Sequence, residues 1–126
     1  MRVFNTKVET LNGATLNANI NSAAISLYQM AGYAIQVVIT GTPTGTLKLQ
    51  ASNDPYISTL PTDTLPTNWT DVTGSTFSVS AAGNVMWNVA PSVYNWVRVV
   101  YTDGSGGAST AVVASAVLNG KNLGER

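Results

Sequence analysis

The chain has 126 residues and a formal net charge of zero, and 10% of its residues are charged, compared with roughly 25% in typical globular domains. The neutral balance argues against partners such as nucleic acid or anionic lipid, because both attract a cationic surface. The sequence contains no cysteine and no histidine, which excludes disulfides, thiolate chemistry and any step that uses an imidazole.

The length favours a single domain over residues 1–126, and a hydrophobic content of 44% is sufficient for a core. No apolar run approaches the roughly 18 residues that span a bilayer, and the first ten residues lack the apolar region of a secretory signal. We therefore expect no membrane partner.

Residues 1–30 show the weakest strand pattern of the chain. Leu16, Ala18 and Ile20 alternate with polar neighbours, in a segment rich in asparagine and small residues. We expect either a pair of N-terminal strands or an extended arm that reaches a neighbouring subunit. A short helix near residues 23–30 is a further alternative, although no strong capping residue or long amphipathic stripe supports it.

Several later stretches alternate with a period of two and are rich in β-branched and aromatic residues, which indicates half-buried strands. Residues 110–118 are small or β-branched almost throughout and predict a more fully buried strand. The alternating apolar series are Tyr33, Ile35, Val37 and Ile39; Leu47, Leu49 and Ala51; Phe77 and Val79; and Val97, Val99 and Tyr101.

Glycine-containing turns separate these stretches. Residues 41–45 lie between two runs of matching length, and residues 103–107 precede the last strand; both predict β-hairpins. Residues 82–84 mark a further turn. Together the strands and turns predict an all-β fold, either an antiparallel β-sandwich or a jelly roll of about eight strands.

A long irregular segment at residues 53–68 interrupts this pattern. Loops of such length within a compact domain usually either carry a function or are disordered. Asp54 and Asp71 flank the segment, and Arg98 lies in mid-strand, where an unpaired cation would be costly to bury. We predict a structural ion pair of Arg98 with Asp54 or Asp71 that holds the loop against the sheet; an Arg98 that binds a ligand is the alternative.

Aromatic residues are the main candidates for contact with a partner. Trp69, Trp87 and Trp96 could stack on a sugar from one face of the sandwich, and Tyr56 lies within the long segment. The competing and more frequent role of large aromatic side chains is to fill a core.

The carboxylates offer little chemistry. Asp54 and Asp71 could together hydrolyse a glycoside, but Asp54 before Pro55, like Asp103 before Gly104, is ordinary turn chemistry. A calcium site built from Asp63, Asp71 and loop carbonyls lacks the spacing of an EF-hand. We therefore predict no catalytic residue, no cofactor and no metal site.

Four stretches, in this order, carry a resemblance to known proteins: GTPTGTLKLQASNDP, NWTDV, AGNVMWNV and YNWVRVVYTDGSGG. The series spans about residues 33–118 and resembles small β-sandwich proteins encoded among the structural genes of tailed bacteriophages. The resemblance implies a virion component, such as a capsid decoration protein, head fibre or tail accessory protein, that binds the major capsid protein or another virion protein. It also implies a homo-oligomer, with a trimer as one option, and brings no catalytic residues with it.

Three functions therefore compete. The first is a non-enzymatic virion protein whose long segment contacts the particle. The second is a carbohydrate-binding module for attachment to a host glycan, which exposed and coplanar Trp69, Trp87 or Trp96 would favour. The third is a hydrolase, which requires two carboxylates converging in a cleft.

Overall fold

The computed structural model describes residues 4–27, 30–55, 65–90 and 93–122. These residues form two antiparallel sheets and no helix, which confirms the all-β sandwich, and none of them belongs to a helix that could cross a membrane. The strands are β1 (Phe4–Glu9), β2 (Ile20–Asn21), β3 (Ile25–Ser26), β4 (Gly32–Thr40), β5 (Gly45–Ser52), β6 (Thr70–Asp71), β7 (Phe77–Val79), β8 (Gly83–Val89), β9 (Trp96–Asp103) and β10 (Val112–Asn122).

The strand order is that of a jelly roll. The first sheet has the order β1-β10-β4-β8, and the second has β9 and β5 at its centre. β2 and β3 pair with successive parts of β9, and β6 and β7 pair with successive parts of β5. If each of these two pairs is counted as one broken strand, the ten strands occupy eight positions, four in each sheet. Along the chain, each of the eight positions lies in the opposite sheet from the one before it, except that β5 and β6 are neighbours in the second sheet.

Both predicted hairpins are wrong. Residues 41–45 connect β4 of the first sheet to β5 of the second, and residues 103–107 connect β9 of the second sheet to β10 of the first. The turn at residues 82–84 also passes between sheets, because β7 and β8 lie on opposite sides of the core. Turn residues show where a strand ends, but they do not show whether the next strand pairs with it or crosses to the other sheet.

The core lies between the two sheets and follows the predicted alternation. Side chains of β4 and β5 alternate between buried and less buried positions, as expected for strands with one face on the core. In β9 the core-facing residues Val97, Val99 and Tyr101 keep this period, but Trp96 and Val100 on the other face are buried as well. β10 departs from the prediction of a fully buried strand, since Val112 and Val117 are half-buried and a bulge separates Val113 from Ser115. Residues with no exposed surface are Ile35, Val37, Leu47, Leu49, Val97, Val99, Tyr101, Val113, Ala116 and Leu118.

The N-terminal segment belongs to both sheets of this chain. β1 pairs with β10, while β2 and β3 pair with β9, so these strands pair elsewhere rather than with one another. Ile25 and Ser26 are a short strand instead of part of a helix over residues 23–30. Ser22 fixes the gap between β2 and β3, because its Oγ accepts a 2.9 Å hydrogen bond from the Val99 backbone N–H. An additional contact of residues 1–30 with a neighbouring subunit stays a prediction.

Candidate functional site

The two ends of the long loop are joined at Asp54. Its Oδ2 accepts hydrogen bonds from the backbone N–H groups of Thr67 at 2.7 Å and Asn68 at 3.0 Å, and its Oδ1 accepts one from Asn68 Nδ2 at 3.0 Å. Hydrogen bonds to the ionised form, first of all that from the Asn68 side chain, lower the pKa of the Asp54 carboxyl. The loop therefore leaves the sheet and returns to it at one place. We call these hydrogen bonds of Asp54 with Thr67 and Asn68 the clasp. Tyr56 and Asp63 lie outside the described residues.

Asn95, just before β9, and Trp96, the first residue of β9, hold the first end of the loop in place. Asn95 Nδ2 donates to the carbonyl oxygens of Asn53 at 3.2 Å and Asp54 at 3.1 Å. Trp96 Nε1 donates to the same Asp54 oxygen at 3.0 Å, and the Trp96 side chain is 8% exposed. Trp96 is therefore a structural support for the loop rather than a surface for stacking.

Arg98 has different partners from those predicted. It lies directly opposite Gln50, which in turn lies opposite Asp71, because β5 runs between β9 and β6. Arg98 Nε and Nη2 donate to Gln50 Oε1 at 2.9 and 2.7 Å, and Gln50 Nε2 donates to Asp71 Oδ1 at 2.8 Å. Asp71 Oδ2 forms its ion pair with Lys48 at 3.0 Å. Arg98 therefore binds the side-chain amide of Gln50 instead of forming the predicted ion pair with Asp54 or Asp71.

Trp69 covers the Arg98 guanidinium. The guanidinium carbon lies 4.3 Å from the centre of the Trp69 ring, within the range of a cation–π contact. Desolvation lowers the pKa of Arg98. Both side chains are half-buried on the outer face of the second sheet, so the pair is fixed in position yet reaches the surface.

Trp87 lies in the core, on the opposite sheet. It is 5% exposed, its Nε1 donates to the Ser75 carbonyl at 2.6 Å, and its ring is tilted 52° to that of Phe77 at 5.7 Å. Because Trp87 and Trp96 are both buried, the tryptophans do not form the exposed coplanar row that stacking on a sugar would use.

An open cleft of about 440 Å³ lies beside the clasp and is lined by Asp54 and Asp71 together with Asn53, Asn68 and Tyr94. Hydrogen bonds, chiefly from Gln50 and Lys48, also lower the pKa of the Asp71 carboxyl. A glycosidase needs one carboxyl whose pKa is raised to serve as a proton donor. Both carboxylates here are stabilised in the ionised form, so neither matches that requirement. The described residues hold no cluster of three or more side chains that could ligate a metal ion.

Sequence reasoning missed Gln50 and Asn95, the two amides that organise this region. Gln50 lies on the polar face of an alternating strand, where its register opposite Arg98 depends on the pairing of β5 with β9. Asn95 acts through bonds to residues more than 40 positions away. Neither contact has a signal in the local sequence.

The site and the fold together define a jelly-roll β-sandwich with a clasped surface loop. No protein-family model matches the sequence, and no curated protein does. A protein derived from the SPBc2 prophage, YomS, is similar in structure, with a TM-score of 0.54 at 11% identity over 96% of this chain and 94% of that one.

Two further solved structures overlap with the chain less closely. The coat protein dimer of Tobacco streak virus gives a TM-score of 0.47 at 10% identity, over 99% of this chain and 87% of that one. A chain from the disulfide-linked pili of Bacillus endospore appendages gives 0.45 at 12% identity, over 98% and 89%. At these identities the likeness to YomS establishes a shared fold and nothing more, and the two weaker overlaps add no argument.

Proposed function

We propose that this protein is a non-enzymatic structural component of a bacteriophage virion, most simply a capsid decoration or accessory protein that binds the particle surface. The observation that carries the proposal is the fold, which nearly the whole chain shares with a prophage-derived protein. The order of motifs over about residues 33–118 supports the same conclusion by resemblance. The proposed partners are the major capsid protein or another virion protein, in a homo-oligomeric arrangement for which a trimer is one option.

The surface chemistry suits adhesion. Charged residues make up 10% of the chain, so a contact would rest on many neutral hydrogen bonds and apolar contacts rather than on long-range attraction. The long loop, residues 53–68, is the proposed contact surface. Tyr56 lies within it, and Trp69, whose ring covers the Arg98 guanidinium, directly follows it. The Asp54 clasp holds the two ends of the loop together, and fixing the ends in advance lowers the entropy lost on binding.

Deletion of residues 57–66 tests the role of the loop. Because Asp54 bonds directly to Thr67 and Asn68, a short glycine linker can close the gap without moving β5 or β6. We expect an unchanged far-UV circular dichroism spectrum and reduced occupancy on particles assembled without the chain. Ser80→Ala, at an exposed position before β8, is the control. Full occupancy by the deletion variant would refute the role of the loop.

A carbohydrate-binding function is the second candidate, favoured by the cleft beside the clasp. Amides and carboxylates there could hydrogen-bond sugar hydroxyls, and the half-buried Tyr94 could pack on a sugar ring. A glycan array with the wild-type protein and Tyr94→Ala tests it. A glycan bound by the wild type and released by the variant would support this function, and an array without a bound glycan would reject it.

A further inference from the structure

The outer edge of β8 is an unpaired strand edge. β8 pairs with β4 from Tyr33↔Val89 to Ile39↔Gly83 without interruption, and it lies at the end of the first sheet. Within the described part of the chain, no other hydrogen bond reaches the backbone of β8. One row of its N–H and C=O groups therefore lacks a protein partner, and such a row is a template for pairing with another strand.

The other described edges are protected in ways that β8 is not. β1, at the opposite end of the first sheet, carries exposed Lys7 and Glu9. The edges of the second sheet are broken into strands of two or three residues: β2, β3, β6 and β7. Charges and short strands are common devices against edge-to-edge pairing. β8 has seven residues and contains neither a charge nor a proline.

We propose that the β8 edge binds a second copy of this chain, antiparallel and about a twofold axis at Met86. The two first sheets would then continue into a single eight-stranded sheet. This inference goes beyond the proposed function and does not depend on it, because it concerns the free protein.

The side chains of β8 suit a copy of itself. With the axis at Met86, each Met86 faces its counterpart, and Asn84 faces Asn88 of the second copy. Asn84, Met86 and Asn88 all point outward, and Met86 is 52% exposed. Facing asparagines can exchange hydrogen bonds, facing methionines bury apolar surface, and no like charges meet across the axis. A twofold interface requires such self-complementarity.

Sedimentation of charge variants tests the proposal. We expect the wild type to form a dimer and Met86→Lys to be monomeric, because two ammonium groups would meet at the axis. Met86→Glu should also be monomeric alone, and an equimolar mixture of the two variants should restore the dimer. Ser80→Lys adds the same charge outside the strand and should leave the dimer intact. A wild type that is monomeric at every soluble concentration overturns the proposal, as does a dimer that Met86→Lys preserves.

A single engineered thiol provides a second readout. The chain has no cysteine, so Met86→Cys carries one thiol on an exposed side chain. Facing residues of an antiparallel pair lie close enough for a disulfide. Mild oxidation should convert this variant to a covalent dimer, whereas Ser80→Cys should stay largely monomeric. Equal cross-linking of the two variants would contradict the register at Met86. Circular dichroism of each variant confirms that the fold is retained.

Discussion

Ser75→Ala is expected to destabilise the fold by about 2 kcal/mol. Ser75 is 4% exposed and lies where the turn after β6 meets the core. Its Oγ accepts a 3.0 Å hydrogen bond from the backbone N–H of Leu49, which is fully buried, and donates one of 2.6 Å to the Val72 carbonyl. Alanine would leave the Leu49 N–H unpaired, and an unpaired buried donor costs about 1–3 kcal/mol.

Urea unfolding monitored by tryptophan fluorescence measures this loss. For a chain of this size, 2 kcal/mol corresponds to a fall in Tm of roughly 8 °C. The bond from Trp87 Nε1 to the Ser75 carbonyl uses the backbone, so it persists in the variant and the native fluorescence should change little. Ser80→Ala, at an exposed position, is the matched control. If the free energy of unfolding of Ser75→Ala equals that of the control, the reasoning about Leu49 is wrong.

Three further predictions concern stability. Gly45→Ala should destabilise the protein by about 1–3 kcal/mol in urea unfolding, since its Cβ would collide with the Thr102 carbonyl, whereas Gly104→Ala has room and should not. Tyr33→Phe should maintain or raise stability, because the Tyr33 hydroxyl is buried without a partner in the described chain. Burial also raises the pKa of Tyr33, so the wild type loses stability as the pH rises past the ordinary tyrosine pKa of about 10, and this loss should be smaller in Tyr33→Phe. Hydrogen bonds from Ser105 lower the pKa of Asp103, so the contribution of this carboxylate to stability is present above the usual aspartate pKa and is lost as the pH falls through the lowered value. The free energy of unfolding of Asp103→Asn should therefore depend less on pH at acidic pH than that of the wild type.

The strands that form the centre of the core were predictable because each has one face on the core. In β4 and β5 the buried apolar residues recur every second position, and this period is what a half-buried strand requires. In β9 the same period holds at Val97, Val99 and Tyr101, while Trp96 and Val100 on the other face are also buried. The pairing between strands was not predictable in the same way. The turn at residues 41–45 looks like a hairpin, yet it crosses between sheets, because burial of both inner faces decides the partner and no turn residue encodes that choice.

The candidate site was predictable in its location and not in its contacts. Asp54 and Arg98 stood out, the first at the start of a long loop and the second in mid-strand. Asp54 accepts a hydrogen bond from Asn68, at the other end of its own loop. Arg98 binds Gln50, a neutral residue whose position depends on strand register. Trp96 and Trp87 are buried, as the core interpretation of large aromatics expects.

The copy number of the chain in purified phage particles tests the central proposal most directly. Quantitative mass spectrometry would compare the chain with the major capsid protein through successive density gradients, in phage particles purified from cells that express the gene. The proposal predicts a fixed ratio that matches a symmetric set of positions and persists through each gradient. Particles that contain none of the chain, or a ratio that falls with every gradient, would contradict it.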